Sequence, residues 1–463
     1  MSINAAALVQ ADRSINVPFT LEVCLTAGLG AEQLPATQLT VETITRLLPG
    51  RRISGVAQHE GRSVFVKLFY GKAAARYWQR ELAGASLLAR SKVSSPAMLA
   101  QGKTLCGGGY FIFYAALPAP RALETHDSDD MHAAVGLLAQ LHEADLVHSD
   151  PHIFNFLHSS QAHYVVDADG IEQSKRLRQQ LTNLATLLAQ RTPLDDRGIK
   201  TLWSSYIRVR GQLRDDAGAL LLVQKLTLRQ RALRVRRYLR KTQRDCTPFR
   251  YDKSFSHVAL CQREHWLRLQ PFIAQPDVVM SQGEVLKEGN SATVVRIQFN
   301  NMSYIVKRYN LKNTWHWLKR MIKRRARRAW VNGHRLDLLG IRTARPIALL
   351  ERRWGFFNGI CYLVMEDVGS VTLQEVMVKN PQMIESLSLP ITEVLLGLSA
   401  ARLIHGDLKA TNFVVYEQRV ALIDYDGLAV GRSNKDKTRF LANWDNYPQL
   451  KAAWLDCFIK AGL

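Results

Sequence analysis

The sequence predicts an α+β chain built as two tandem, similarly organised bilobal domains, and three observations carry that prediction. At 463 residues the chain is too long for one ordinary hydrophobic core. A pair of motifs occurs twice: LVHSDPHIFNFL followed by YVVDADG in the first half, and LIHGDLKATNFVV followed by ALIDYDG in the second. Asp150 and Asp407, Asn155 and Asn412, Asp167 and Asp424, and Asp169 and Asp426 are each separated by 257 positions. One short motif can echo by chance. Four positions in register across two motifs indicate a repeated unit.

The elements around those motifs follow one order in both halves. An alternating, β-branched run ends near a lysine, SVFVKLFY with Lys67 and SYIVKRYN with Lys307, and predicts a strand. Helical stretches follow, RYWQRELAGASLLAR and RRARRAWVNGHRLDLLG. A proline-containing turn (SSPAMLA, TARPIALL) leads to a second apolar strand, YFIFYAA or CYLVMED. Another helix, the histidine-aspartate loop and a short strand ending in aspartate complete each half. LTNLATLLAQ and AGALLLVQKL have helical periodicity and fill the middle of the chain. The expected layout is an N-terminal extension over 1–45, a first domain over 46–215, a helical connector over 216–280 and a second domain over 281–463.

The repeated residues suit transfer of a γ-phosphoryl group, which needs positioning and charge neutralisation more than covalent chemistry. A strand lysine, Lys67 or Lys307, would hold the α- and β-phosphates of ATP. A loop aspartate, Asp150 or Asp407, would orient the acceptor hydroxyl and take its proton. An asparagine five residues on, Asn155 or Asn412, and the aspartate after the short strand, Asp167 or Asp424, offer hard oxygen ligands for Mg²⁺. HxDxxxxN followed by an apolar run and an aspartate is far more specific than HxD alone, and it makes the expected fold two tandem protein-kinase-like bilobal domains. Glu81 is placed to pair with Lys67. Lys409, beside Asp407, is placed to reach the γ-phosphate, whereas His152 at the equivalent site reads as an exposed loop histidine. Glu366 stands at the hinge-like end of a strand, and Gly289 and Ser291 form what phosphate cover the second half offers. Neither half has a full Gly-x-Gly-x-x-Gly loop. Aligning RRAW on QREL puts Ala329 in the place of Glu81, so the second half is expected to lack that ion pair.

Composition narrows the setting. The formal net charge of +22 favours polyanionic partners such as anionic headgroups or a phosphorylated glycolipid. The charge is concentrated in KRMIKRRARR (319–328), flanked by Trp315, Trp317 and Trp330, and in KLTLRQRALRVRRYLRKTQR (225–244). Tryptophans beside Lys and Arg point the first stretch toward an anionic membrane surface, the alternative being a solvated helix face. No compact RNA- or DNA-binding motif accompanies these runs, so nucleic acid is not an expected partner. Six scattered cysteines without CxxC spacing read as thiols of a reducing compartment. No apolar run of eighteen residues and no basic region ahead of the short N-terminal apolar stretch are seen, so neither a membrane-spanning helix nor a signal peptide is expected, and the site of action is expected to be cytoplasmic.

The chain resembles the lipopolysaccharide core kinases of Gram-negative bacteria, the Kdo and heptose kinase family within the protein-kinase-like superfamily. The closer likeness runs over about 283–440, through YIVKRYN, ARRAWVNGHRLDLLGIRTARP, YLVMEDV, HGDLKATNF, IDYDG and RSNKDKTRFL; a looser one runs over about 51–188. The resemblance implies an ATP- and Mg²⁺-dependent enzyme at the cytoplasmic face of the inner membrane, with a core glycolipid as substrate. Only 39 residues follow Asp424, with no Ala-Pro-Glu segment, which argues for a small-molecule or glycolipid acceptor rather than a protein. Other readings are a kinase resembling the aminoglycoside and choline phosphotransferases, or a catalytically silent scaffold of paired pseudokinase lobes.

Overall fold

The computed structural model describes residues 17–26, 33–105, 108–160, 162–211, 217–299, 301–310, 325–354, 357–416, 419–431 and 433–463. The fold mixes α and β, and the chain divides into two compact units, Met1–Arg191 with Asp195–Arg231, and Thr192–Leu194 with Ala232–Leu463.

In the first unit, β1 (Phe19–Thr26), β2 (Gln33–Leu48), β3 (Arg52–His59), β4 (Arg62–Phe69), β5 (Met98–Thr104) and β6 (Tyr110–Ala115) close into a barrel in the order β1-β2-β3-β4-β6-β5. Alternation in β4 sends Val64, Val66 and Leu68 into the barrel core. Lys67 therefore points to the outer face. The helix Ala74–Arg90 presents Glu81, Gly84, Ala85 and Leu88 as its buried stripe. Beyond the barrel lie β7 (Arg121–Ala122), the helix Ser128–Glu143, β8 (Leu146–His148), β9 (Phe156–Ser159), β10 (Ala162–Val165), β11 (Ile171–Gln173) and the helices Leu177–Leu188 and Asp196–Arg210. β9 and β10 form a hairpin, and β11 pairs with β8 so that Ile171 faces His148.

The second unit contains β12 (Phe249–Lys253), β13 (His257–Gln262), β14 (Glu284–Glu288), β15 (Ala292–Phe299), β16 (Met302–Tyr309), β17 (Pro346–Trp354) and β18 (Phe357–Glu366), in one sheet of order β12-β13-β17-β18-β16-β15-β14. Tyr304 and Val306 of β16 join one core cluster. Tyr309, two residues beyond Lys307, joins the other, which also holds the helix Arg325–Leu338. The helices Leu373–Lys379 and Ile384–Ala400 precede β19 (Leu403–Ile404), β20 (Phe413–Tyr416), β21 (Arg419–Leu422) and β22 (Ala429–Val430), followed by the helices Lys435–Ala442 and Pro448–Lys460. β20 pairs with β21, and β19 with β22.

Several expectations need correction. The extension over 1–45 is no appendage, because β1 and β2 complete the first barrel. The connector over 216–280 is only partly helical: β12 and β13 belong to the second unit's sheet, and the helix Ala217–Lys241 precedes them. The first departure has a physical cause: β1 pairs with β5 and closes the barrel, which leaves no open sheet edge there. Trp330 is no interfacial residue. It is fully buried, and its indole N–H donates to the Thr242 carbonyl at 3.0 Å. Trp315, Trp317 and residues 319–324 of the basic run lie outside the described residues. Residues 381–400 are long and apolar enough to cross a membrane by length and composition, which the sequence reading did not pick out. One face of this segment, Leu387, Ile391, Val394, Leu395 and Leu398, packs in the second unit's core. Among the described residues Cys24, Cys246, Cys261 and Cys457 are free thiols.

Candidate active site

In each unit the histidine-aspartate loop is fixed by the same set of contacts. His148 is buried, and its Nε2 lies 3.3 Å from the Val166 carbonyl; His405 is buried, with Nε2 3.3 Å from the Ile423 carbonyl. A carbonyl only accepts, so Nε2 carries the proton in both. Burial holds both imidazoles below their ordinary pKa. Asn155 donates from Nδ2 to the Asp150 carbonyl at 2.9 Å, and Asn412 to the Asp407 carbonyl at 2.7 Å. The Val166 N–H donates to the Asn155 carbonyl, and the Ile423 N–H to the Asn412 carbonyl. Asp167 and Asp424 then adopt left-handed backbone with φ of 67° and 61°. Such a conformation is costly for most side chains and tolerated by Asp, and it swings each carboxylate out of the strand direction.

The strand lysines meet these aspartates. In the first unit Lys67 Nζ lies 2.6 Å from Glu81 Oε1 and 2.9 Å from Asp167 Oδ1. The expected Lys67–Glu81 pair is present, and the Tyr114 hydroxyl also donates to Glu81, at 2.7 Å. Arg52, which the sequence reading did not single out, stands 3.4 Å from Asp167 and 3.7 Å from Asp169. Burial would lower the Lys67 pKa, but Glu81 and Asp167 outweigh it and hold the ammonium protonated. Burial likewise pushes Asp167 up, and Lys67 and Arg52 reverse this and hold it well below the usual carboxylate range. Asp169 is raised by burial and by the neighbouring charges of Asp167 and Glu81.

In the second unit Lys307 Nζ lies 2.5 Å from Asp424 Oδ1 and 3.4 Å from Asp426 Oδ1. Ala329 is buried and offers no carboxylate, as the alignment implied. The lysine nevertheless has a second acidic neighbour, because Asp426 comes from the turn. Burial acts to raise Asp424, and its contact with Asp426 and the Lys307 charge override it. Asp426 is raised by burial and by its contact with Asp424.

A glycine lets each helix approach its turn. A Cβ on Gly84 would meet the Ala168 carbonyl oxygen at 1.7 Å, and one on Gly333 would meet the Pro346 ring at 2.3 Å and the Tyr425 ring at 2.8 Å. Asn332 donates to the Tyr425 carbonyl at 3.0 Å and ties helix to turn.

The surroundings of the two proposed bases differ. Asp407 Oδ1 is 3.0 Å from Lys409 and 2.6 Å from Arg439. Asp436 accepts from the backbone N–H groups of His405 and Gly406 at 2.6 and 2.9 Å. In the first unit the amide of Asn183 brackets His148 instead, accepting from its N–H at 3.2 Å and donating to its carbonyl at 2.5 Å. Asp150 is exposed, and His152 turns back on its own loop, accepting from the Phe154 N–H at 3.3 Å. Arg439 and Asp436 lie in RSNKDKTRFL, where a polar run gave no chemical signal.

The remaining candidates lie beside the second lysine's sheet. The Gly289 carbonyl accepts from Asn310 Nδ2 at 2.9 Å and the Ser291 carbonyl from the Asn310 N–H at 3.1 Å, so Asn310 pins the turn between β14 and β15. Glu366 ends β18 exposed, 3.8 Å from Arg345. Its neighbour Asp367 is structural, accepting from Arg296 at 2.8 Å and Ser303 at 2.6 Å.

The donor set fits Mg²⁺. Each asparagine spends its N–H₂ on the loop carbonyl, which leaves its amide oxygen as a hard ligand beside a carboxylate. No protein-family model matches the chain. The RIO-type serine/threonine-protein kinase Rio1 of Haloferax volcanii is 30% identical over 135 residues, 28% of this chain and 42% of that protein. The chain thus spans less than half the length of the curated relative it matches. Among solved structures, WaaP in complex with acyl carrier protein is similar at 21% identity and a TM-score of 0.29, over 41% of this chain and 88% of that one. A rhoptry kinase from Toxoplasma gondii is similar at 18% identity and a TM-score of 0.27, over 37% and 56%.

Proposed function

We propose that the chain is an ATP- and Mg²⁺-dependent phosphotransferase with two protein-kinase-like sites. The observation that carries this reading is the strand lysine paired with the left-handed aspartate in both units, Lys67 with Asp167 and Lys307 with Asp424. When bound, ATP supplies the phosphoryl group and Mg²⁺ neutralises its charge. Lys67 and Lys307 hold the α- and β-phosphates. Asn155 with Asp167, and Asn412 with Asp424, hold the metal. Asp150 and Asp407 orient the acceptor hydroxyl and take its proton, and Lys409 faces the transferred group. Gly289, Ser291 and Glu366 border the nucleotide.

The acceptor we infer is a sugar hydroxyl of lipopolysaccharide inner core, heptose or Kdo, reached from the cytoplasmic face of the inner membrane. The resemblance of residues 283–440 and the net charge of +22 support it. An anionic membrane surface and an anionic glycolipid both suit that charge. Asp150→Asn and Asp407→Asn, singly and together, are the test in an ATP-consumption assay with purified core oligosaccharide as acceptor. The double variant loses activity by a factor of about 10³ or more, as removal of a positioned base does. Full activity of the double variant would refute the assignment. Loss of one phosphate from the core of a deletion strain, read by mass spectrometry, is the expected result for the substrate.

A further inference from the structure

The second unit lacks a glutamate on the helix that faces its lysine, yet the lysine is not left with one partner. In the helix Arg325–Leu338 the sole acid is Asp337, near its C-terminal end. The position aligned with Glu81 is the buried Ala329. We propose that Asp426, seated between Lys307 and Arg325, is the positioning carboxylate of the second unit's nucleotide lysine, in the role that Glu81 has in the first. The inference rests on the reading of Lys307 as the phosphate-binding lysine.

Asp426 is 7% exposed and uses both oxygens: Oδ1 lies 3.4 Å from Lys307, and Oδ2 lies 2.8 Å from Arg325 Nη2. The turn that carries it is fixed on two sides. Asn332 donates to the carbonyls of Tyr425 and Leu428, and the Tyr425 hydroxyl donates to the Ala344 carbonyl at 2.6 Å. Both cations lie over the Tyr309 ring, Lys307 at 5.4 Å and Arg325 at 5.9 Å from its centroid. The first unit divides the work differently. Asp169, the counterpart of Asp426, has a side chain 24% exposed and lies 3.7 Å from Arg52, while Glu81 takes the lysine at 2.6 Å. Glu81 is held in turn by Tyr114.

The reason a second carboxylate is needed is electrostatic. A metal held by Asp424 would compete for its oxygens and weaken its hold on Lys307. A half-buried ammonium left without an anion would fold away from its bonding direction. A carboxylate that is not a metal ligand keeps it aimed. Arg325 fixes that carboxylate by a charge-assisted hydrogen bond and keeps it from swinging to the metal.

The test measures the lysine itself. The full-length chain is treated with an acetylating succinimidyl ester, and acetylation rates at Lys307 and Lys67 are followed by peptide mass spectrometry. Asp426→Asn raises the Lys307 rate by about threefold or more, Lys67 stays at its wild-type rate, and Asp426→Glu restores protection. Where Asp426→Asn does not fold, Asp426→Ser takes its place and gives the same rise. On a Lys67→Gln background, Asp426→Asn also weakens Mg-ATP binding by about tenfold in calorimetric titration. An unchanged Lys307 rate in folded Asp426→Asn overturns the proposal, and so does an equal rise at Lys67, which marks general loosening. A chain with unaltered Lys67 that binds no Mg-ATP, yet whose Lys307 rate responds to Asp426→Asn, refutes the phosphotransferase reading and with it the nucleotide role; the ion pair alone then stands.

Discussion

Removing Glu81 should destabilise the first unit through one identifiable contact set. Its side chain is fully buried and accepts from Lys67 at 2.6 Å and from Tyr114 at 2.7 Å. Glu81→Ala removes the acceptor of Tyr114 and one of the two carboxylates on Lys67. Breaking a buried ion pair costs about 3–5 kcal/mol, and Asp167, still 2.9 Å from the ammonium, places the expected loss near the lower end, about 3 kcal/mol. Glu81→Gln keeps an acceptor for Tyr114 and should cost about 2 kcal/mol. In a unit of this size each kcal/mol moves the midpoint by about 2–4 °C, so Glu81→Ala melts roughly 6–12 °C lower by differential scanning calorimetry. The exposed Glu60→Gln serves as control and stays within about 1 °C. A cycle with Lys67→Met isolates the pair: the double variant loses less than the sum of the singles by about 2 kcal/mol. Additive losses, or Glu81→Ala melting with the wild type, would refute the claim that Glu81 and Lys67 are energetically coupled.

Gly84→Ala drives a methyl group into the Ala168 carbonyl and should cost about 1–3 kcal/mol, read as a lower urea midpoint, because backbone on both sides cannot yield. His334 gives a pH prediction. Buried against Trp330, Phe249 and Tyr238, with no hydrogen-bond partner for either ring nitrogen among the described residues, its pKa is pushed down to about 3 by burial and, less, by Arg345. The folded state thus holds the neutral ring, so its stability is intact above the ordinary value of 6.5 and is lost as pH falls from there toward 3. His334→Phe removes that loss, about 1.4 kcal/mol in all between pH 7.5 and 5.5, because the one-proton slope acts only below about 6.5, read in urea melts at the two pH values. Asp436→Ala deprives the His405 and Gly406 N–H groups of their acceptor, so kcat should fall about tenfold or more while KM for ATP changes little.

The repeat, the strand lysines, the loop aspartates and asparagines and the Lys67–Glu81 pair were all legible in the sequence. Their signal is local: period-two alternation places Lys67 opposite Val64, Val66 and Leu68, and a spacing of five residues lets Asn155 or Asn412 reach back to its own loop carbonyl. Trp330 misled because composition beside Lys and Arg says nothing about which side of a helix faces the core. The extension and connector were misassigned for a related reason. Whether β1, β2, β12 and β13 close a sheet depends on partners tens of residues away.

Electrostatic partners divide along the same line. A carboxylate on the helix that follows a strand lysine, such as Glu81 after Lys67, can be anticipated from the linear order. Asp426 with Arg325, Arg52 with Asp167, and Arg439 with Asp407 join residues 101, 115 and 32 positions apart. Side-chain charge attracts through space, and only the folded chain sets those separations. The sequence by itself determined which chemical groups the two sites contain. The tertiary structure decided which carboxylate holds which cation, and so gave Lys67 a helix glutamate and Lys307 an aspartate from the turn.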